Sequence, residues 1–188
     1  MDGSAAERAL EAAVAGDEMA FAAVYRDTQP RLLRFLRAQV GKDAPDVAAE
    51  TWLAVVRDLD RFRGDLGGFR AWVLTVGRHR AIDAHRRRAR RPVVLAADPA
   101  PTLAAPDDTA ADALAGLGTR AALALIATLP PDQAEAVLLR AVVGLDVPRT
   151  ARVLGKREGA VRVASHRGLK RLAAQLAEVE RAAVGVPE

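Results

Sequence analysis

The sequence predicts an all-α protein with two small helical domains, joined by a flexible acidic, Pro-rich linker. Alanine is abundant and aromatic residues make up only 4% of the 188 residues, so helix formers dominate and strand-forming runs are missing. Apolar residues recur at helical spacing on both sides of residues 93–111. That segment contains Pro99, Pro101 and Pro106 and no Lys or Arg, which is typical of a linker with an extended bias.

Residues 1–92 form the first predicted domain. Its first helical stretch begins near Asp17, and Pro30 predicts that the stretch is either two helices or one kinked helix. Gly41 then ends it as a C-terminal cap.

Two further helices are predicted in this domain. Residues 43–57 form one of them, with Asp46 as its N-terminal cap. Residues 58–68 contain Gly-rich turn signals and predict a loop or a short helix end. Residues 69–91 form the next helix. Trp52, in the helix of residues 43–57, and Trp72, in this helix, are both expected to be core side chains rather than interface or base-stacking groups.

The second predicted domain spans residues 112–182 and is followed by a tail, residues 183–188. Pro130-Pro131 stops its first helix, and Asp132 with Glu135 resembles a capping box for the next. The apolar residues that follow recur at the clearest helical spacing in the chain, and Gly144 ends this predicted helix.

The last part of this domain predicts a helix-turn-helix. Asp146 caps a short helix with Pro148 in its first turn, Gly155 forms the turn, and a longer helix runs from near Arg157 to about Glu180. In such motifs the second helix enters the major groove of DNA. The side chains expected to face inward are Val161, Gly168, Leu169 and Leu172, and those expected to face outward are Arg157, Arg162, His166, Arg167 and Lys170. A plain helical hairpin with a solvated basic face is the alternative interpretation.

A second basic feature lies at the end of the first domain. Residues 78–91 contain seven arginines and one acidic residue, Asp83. A polyanion is the natural partner, and its binding should weaken steeply with salt because phosphate contacts release counterions. A solvated helix end is the alternative.

Several classes of protein are excluded by what the sequence lacks. It has no cysteine, no basic-then-apolar signal peptide and no apolar run long enough for a membrane span, so we expect a cytoplasmic protein without membrane insertion. The three histidines lie far apart and lack clustered carboxylates, so no metal site is expected. No catalytic triad, phosphate loop or dinucleotide fingerprint is present, so we expect neither an enzyme nor a cofactor.

The order of the motifs resembles that of a bacterial RNA polymerase sigma factor of the extracytoplasmic-function (ECF) type, in the sigma-70 family. The run from Asp43 to Gly64 resembles the first part of sigma region 2, and Phe69–Trp72 with Arg80–Arg88 resembles the promoter-recognition helix that follows it. Further similarity to region 4 lies at Leu129-Pro130-Pro131, Leu138-Leu139-Arg140, Gly144-Leu145, Gly159–Arg162 and His166–Leu172. Together these motifs cover about residues 20–176.

The resemblance implies a role for each of three surfaces. Core polymerase would be bound by Asp46, Glu50, Thr51, Leu53, Val55 and Asp58. The minus-ten promoter element would be recognised, through a flipped base, by Arg61, Phe62, Arg63, Gly64, Asp65, Arg70, Arg78, His79, Arg80, Asp83, Arg86 and Arg87. The minus-thirty-five element would be recognised in duplex DNA by Arg149, Lys156, Arg157, Glu158, Arg162, Val163, His166, Arg167 and Lys170.

The resemblance also implies partners. They are the core RNA polymerase, through the clamp of its beta-prime subunit and the flap of its beta subunit, promoter DNA, and an anti-sigma factor. The linker would thread toward the RNA exit path.

Six positions depart from the family's pattern. Ala49 stands where Gln is usual, and His79 stands where Asn is frequent, which affects minus-ten preference. Residues 163–165 replace a common Ser-Arg-Leu run, and Thr150 replaces a usual buried Ile, so we expect a less stable C-terminal domain with altered minus-thirty-five recognition.

Two other functions remain open at this point. A free-standing helix-turn-helix transcriptional regulator would dimerise on palindromic half-sites, with the N-terminal domain as a sensor. A nucleic-acid processing factor is supported only by the basic surface.

Overall fold

The computed structural model describes residues 3–90 and 121–184. Every regular element in these two ranges is helical, which confirms the predicted all-α class. The chain divides into two compact units, Met1–Ala104 and Ala105–Glu188. The predicted linker, residues 93–111, lies outside the described residues, as do the start of the second predicted domain and most of the tail.

Within residues 3–90, the N-terminal unit contains four α-helices and two short 3₁₀ turns. The helices are α1 (Gly3–Val14), α2 (Glu18–Val40), α3 (Ala44–Arg57) and α4 (Leu66–Arg90), and the 3₁₀ turns are Gly41–Asp43 and Leu59–Arg61.

The C-terminal unit contains the helical residues 121–127 (α5), then α6 (Pro131–Val137), a π-helical turn (Leu138–Val142), α7 (Val147–Leu154) and α8 (Glu158–Val184). Within both described ranges, no helix combines the length and the apolar character that a membrane span requires.

The N-terminal unit departs from the prediction in two respects. Helix α1 was not predicted. At Pro30, where two helices or one kinked helix were predicted, α2 is a single helix with Pro30 on its exposed side, and the predicted cap at Gly41 is present with a φ of 59°. Helix α3 begins at Ala44, so Asp46 lies in its first turn, where its charge suits the helix dipole, instead of capping it.

The core of the N-terminal unit lies where α2, α3 and α4 pack on one another. Phe35 and Phe69 are fully buried there, and Trp52 is 7% exposed, which confirms its predicted place in the core. Its indole N–H donates to Gln29 Oε1 at 2.6 Å, so its polar atom is satisfied. Gly77 allows α4 to approach α2 closely, because a Cβ at this position would lie 2.8 Å from Leu32 Cδ1.

In the C-terminal unit, α7 and α8 form the predicted helix-turn-helix. Asp146 caps α7 by accepting from the Arg149 N–H at 2.7 Å, and Gly155 makes the turn with a left-handed φ of 63°. Gly168 is where α8 meets α6, since a Cβ there would lie 2.6 Å from Val137 Cγ2.

Two predictions for the C-terminal unit need correction. Asp132 does not cap α6, which begins at Pro131 after a Pro130 cap without a side-chain hydrogen bond. Leu169 is 50% exposed, because the inward face of α8 follows Val161, Ser165 and Gly168 at helical spacing and Leu169 lies about 100° further round the helix.

Candidate functional site

The loop between α3 and α4 is held by aromatic rings. Phe62 stacks on Trp72, with ring centroids 5.3 Å apart and planes 19° apart, and meets Phe69 edge-on at 5.4 Å. Phe69 continues the contacts to Trp52, whose ring lies 4.7 Å from that of Tyr25. Phe62 therefore anchors the loop to the core, and Trp72 is half-buried beneath it.

The charged residues of this loop mostly shape the loop itself. The Arg63 guanidinium donates to the carbonyl oxygens of Asp60 and Phe62, both at 2.7 Å. Asp65 Oδ1 accepts from the Gly68 N–H at 2.6 Å, and Gly64 has a φ of 145° that favours glycine. The Arg61 side chain is 81% exposed and lies 3.7 Å from Asp58.

Helix α4 separates its predicted minus-ten residues into two groups. Arg70 is about three-quarters buried and forms an ion pair with Asp27 at 2.7 Å, so it joins α4 to α2 within the unit. His79 is exposed, whereas Arg78 and Arg80 are half-buried. His79 is thus the residue of this helix segment most available to a ligand.

The basic end of α4 lies beside the acidic start of α3. Arg87 is 3.5 Å from Glu50 and Arg88 is 3.6 Å from Asp43, while Arg86 is 3.7 Å from Asp83 on its own helix. All of these side chains are at least 42% exposed, so the pairs are weak and screened by salt. The arginines remain accessible to phosphate, and the pairs offset part of the repulsion within the tract.

Helix α3 presents a mixed apolar and acidic outer face. Leu53 is 70% exposed and Val56 is 53% exposed, next to the exposed Asp46 and the half-buried Glu50. We call these four residues the α3 outer face. Sequence reasoning missed Val56, although its spacing of three residues from Leu53 places the two on one side of a helix.

Three predicted polymerase-binding residues lie elsewhere on α3 or just after it. Thr51 and Val55 are fully buried, and the Thr51 hydroxyl donates to the Val47 carbonyl at 2.7 Å. A partner cannot touch these two side chains in this conformation, so their place in the predicted contact set must be corrected to that of core residues. Asp58 is half-buried at the end of the helix.

In the helix-turn-helix, two predicted DNA-binding residues are engaged within the unit. Arg149 forms an ion pair with the capping Asp146. Lys156 lies 2.6 Å from Asp132 and thereby joins the turn after α7 to the start of α6. Both cations therefore hold the motif together as well as carrying charge.

The first turns of α8 carry the exposed cationic face that the sequence predicts. Glu158 pairs with Arg162 at 2.9 Å across one helical turn, and Val163 is 49% exposed. The exposed basic side chains here are those of Arg157, immediately before the helix, and of Arg162, His166, Arg167 and Lys170 within it. Their position at the N-terminal half of the second helix matches the part of a helix-turn-helix that contacts base edges.

Comparison with known proteins gives matches for both units. Residues 24–91 match the family described as sigma-70 region 2, and residues 119–172 match that described as sigma-70, region 4. The ECF RNA polymerase sigma factor SigD of Mycobacterium tuberculosis is 36% identical, over 92% of this chain and 84% of that relative. The chain belongs to the ECF sigma factors of the sigma-70 family.

A second relative and one solved structure agree with this assignment. The ECF RNA polymerase sigma factor ShbA of Streptomyces griseus is 36% identical, over 86% of this chain and 90% of the relative. The solved structure of CnrH, in complex with the cytosolic domain of CnrY, has a TM-score of 0.66 and 24% identity, covers 93% of this chain and 98% of that one, and shows the shared fold.

As an alternative sigma factor, this protein binds RNA polymerase and directs promoter-specific initiation of transcription. It is a DNA-binding initiation factor, and the reading as a free-standing regulator is not favoured.

Proposed function

We propose that this sigma factor joins core polymerase to two promoter elements through three separate surfaces. The α3 outer face binds polymerase, the loop after α3 with the exposed part of α4 recognises the minus-ten element, and the start of α8 recognises the minus-thirty-five element. The observation that carries the proposal is the α3 outer face, where exposed Leu53 and Val56 lie beside two carboxylates and form an apolar surface that a protein partner would cover.

For polymerase, the α3 outer face would bind the clamp of the beta-prime subunit. The two apolar side chains supply buried contact area, and Asp46 and Glu50 supply charge that favours a basic partner. Region 4 would contact the flap of the beta subunit. Since the polymerase is cytoplasmic, the protein would act in the cytoplasm.

For the minus-ten element, the accessible groups are Arg61 in the loop, His79 on α4, and the arginines at the end of α4. Phe62, Asp65 and Arg70 support this surface from within the unit. The α4 arginines would bind phosphates, whereas a base extruded from the stack would be held at the loop.

For the minus-thirty-five element, Arg157 immediately precedes α8 and Arg162 lies in its second turn, at the end of the helix where side chains meet base edges in the major groove. An Arg that bonds guanine in bidentate fashion discriminates by about 1–3 kcal/mol. His166, Arg167 and Lys170 are placed further along the same exposed surface. Val163 adds an apolar group suited to a thymine methyl.

An anti-sigma factor remains part of the proposal. The α3 outer face must be open for polymerase, so free protein exposes apolar surface that an inhibitor can cover. CnrH, which shares the fold, was solved with the cytosolic domain of CnrY bound. We propose a comparable inhibitory partner that competes with polymerase for this unit.

The experiment measures binding of labelled sigma factor to purified core polymerase. Leu53→Asp should weaken binding at least about tenfold, equivalent to about 1.4 kcal/mol, because it places a charge in the centre of the contact. Met19→Asp is the matched control, since Met19 is 76% exposed on α2 and lies outside the α3 outer face. Equal affinities of Leu53→Asp and Met19→Asp would refute the assignment of this face.

A further inference from the structure

Helix α1 contacts the start of α4 across 59 residues of sequence. Glu7 Oε2 accepts a hydrogen bond from the Leu66 N–H at 2.9 Å. Leu66 is the first residue of α4 and follows directly on the loop proposed to recognise the minus-ten element. Helix α1 lies outside the span matched by region 2, which begins at residue 24.

This contact caps a helix start that needs external acceptors. The first N–H groups of a helix have no partner within the helix. In α4, the loop residue Asp65 supplies acceptors for Gly68 and Phe69, through its side chain at 2.6 Å and its carbonyl at 2.8 Å. Leu66 receives its acceptor from α1, and a carboxylate at this end of the helix also suits the dipole.

Glu7 is held on a firmly packed support. Ala6, Leu10 and Ala13 on the same helix are each at most 3% exposed, and α1 packs along α2. The position of the Glu7 backbone is therefore set by the core of the unit. A groove between α1 and the loop, lined by Leu10, Phe62 and Gly64 among others, brings the helix beside the whole loop.

We propose that Glu7 is a positioning residue for minus-ten recognition. By fixing the Leu66 amide, Glu7 sets where the loop ends and where α4 begins, while Phe62 and Asp65 set the rest of the loop. Recognition of a base requires the contacting groups to be held within a fraction of an ångström, which depends on such supporting contacts. The inference rests on the proposed role of this loop in binding the minus-ten element.

The first arm of the test measures hydrogen exchange of the free full-length protein. Glu7→Ala should raise the exchange rate of the Leu66 amide by about tenfold, the loss expected for a hydrogen bond to a charged acceptor. Glu7→Gln keeps an amide oxygen as acceptor and should restore most of the protection. Arg8→Ala is the control, because Arg8 is exposed on α1 and its side chain donates to the Ser4 hydroxyl on the same helix.

The second arm measures transcription by core polymerase with each variant, from a promoter pool randomised in the minus-ten element. Glu7→Ala should reduce the preference for the best sequence about fivefold to tenfold, while polymerase affinity stays unchanged, and Glu7→Gln should recover the preference. A merely structural role for Glu7 would instead lower activity equally on all sequences.

The outcomes separate the inference from the function on which it rests. If the unaltered protein directs initiation and Glu7→Ala keeps the same sequence preference, the positioning role is overturned and the sigma function stands. Failure of the unaltered protein to direct any initiation refutes the proposed function and the inference together. Unchanged exchange at Leu66 in Glu7→Ala also overturns the positioning role.

Discussion

The two units of this sigma factor differ in how their cores are built. All four Phe, both Trp and the single Tyr lie between Phe21 and Trp72, so the N-terminal unit has an aromatic core and the C-terminal unit has none. The C-terminal core is aliphatic. Both cores bury hydroxyls without a hydrogen-bond partner among the described residues, Thr28 in the N-terminal unit and Thr150 and Ser165 in the C-terminal unit.

This difference follows the kind of surface that each unit presents. A loop has no internal hydrogen-bond ladder, so the loop after α3 takes its shape from ring contacts and from Glu7. The recognition surface of α8 is a helix, whose backbone is shaped by its own hydrogen bonds, and a small aliphatic support is sufficient. We therefore expect the N-terminal unit to be the more stable of the two.

The largest expected effect concerns the aromatic core. Phe69→Ala removes a fully buried ring that touches Trp52, Phe62 and Trp72, and should destabilise the N-terminal unit by about 3–5 kcal/mol. Near-ultraviolet circular dichroism measures this unit alone, because every aromatic residue lies in it. If Phe69→Ala lowered the melting temperature of the C-terminal unit, followed in the far ultraviolet, as much as that of the N-terminal unit, the two units would not unfold independently.

A smaller effect should be confined to the C-terminal unit. Gly168→Ala places a Cβ 2.6 Å from Val137 Cγ2 and 3.3 Å from the Gln133 carbonyl, so it should cost about 1–3 kcal/mol by overpacking α8 against α6.

Gly159→Ala is the matched control for Gly168→Ala. It lies on the same helix with nothing within 4 Å of its new Cβ, and should stabilise the unit by at most about 1 kcal/mol. Both changes are measured by far-ultraviolet thermal unfolding. Equal melting temperatures for the two variants would contradict the close packing at Gly168.

The smallest effect tests the buried hydroxyl. Thr150→Val keeps the shape of a fully buried side chain and removes a hydroxyl without a described partner, so it should stabilise the C-terminal unit by about 1 kcal/mol. Thr28→Val makes the same change at an equivalent buried hydroxyl in the N-terminal unit and should raise only that unit's melting temperature. Destabilisation by Thr150→Val would mean that an ordered water satisfies the hydroxyl.

Much of the fold could be predicted from local sequence signals. The cap at Asp146, the turn at Gly155 and the cap at Gly41 were all predicted correctly because each depends on residues a few positions apart. The π-helical turn at Leu138–Val142 was not predicted, since the apolar residues around it follow ordinary α-helical spacing.

The surfaces of the site were predicted less well than the helices that carry them. Helix α3 has apolar residues on most sides, so its sequence did not distinguish the buried Val55 from the exposed Leu53 and Val56. Arg70 forms an ion pair with Asp27, and Lys156 forms one with Asp132. The sequence did not predict these pairs, because the partners are distant from each other in the chain. No local signal relates Glu7 to Leu66, so this contact could not be predicted, whereas the helical spacing of Ala6, Leu10 and Ala13 could have indicated α1.

The most direct test of the account is selection of active promoters from a random DNA pool by core polymerase with this sigma factor. The account predicts two short motifs at a fixed separation, with Arg157→Ala weakening selection of the upstream motif alone and His79→Ala that of the downstream motif alone. Recovery of a single palindromic site that the protein binds equally well without polymerase would contradict it.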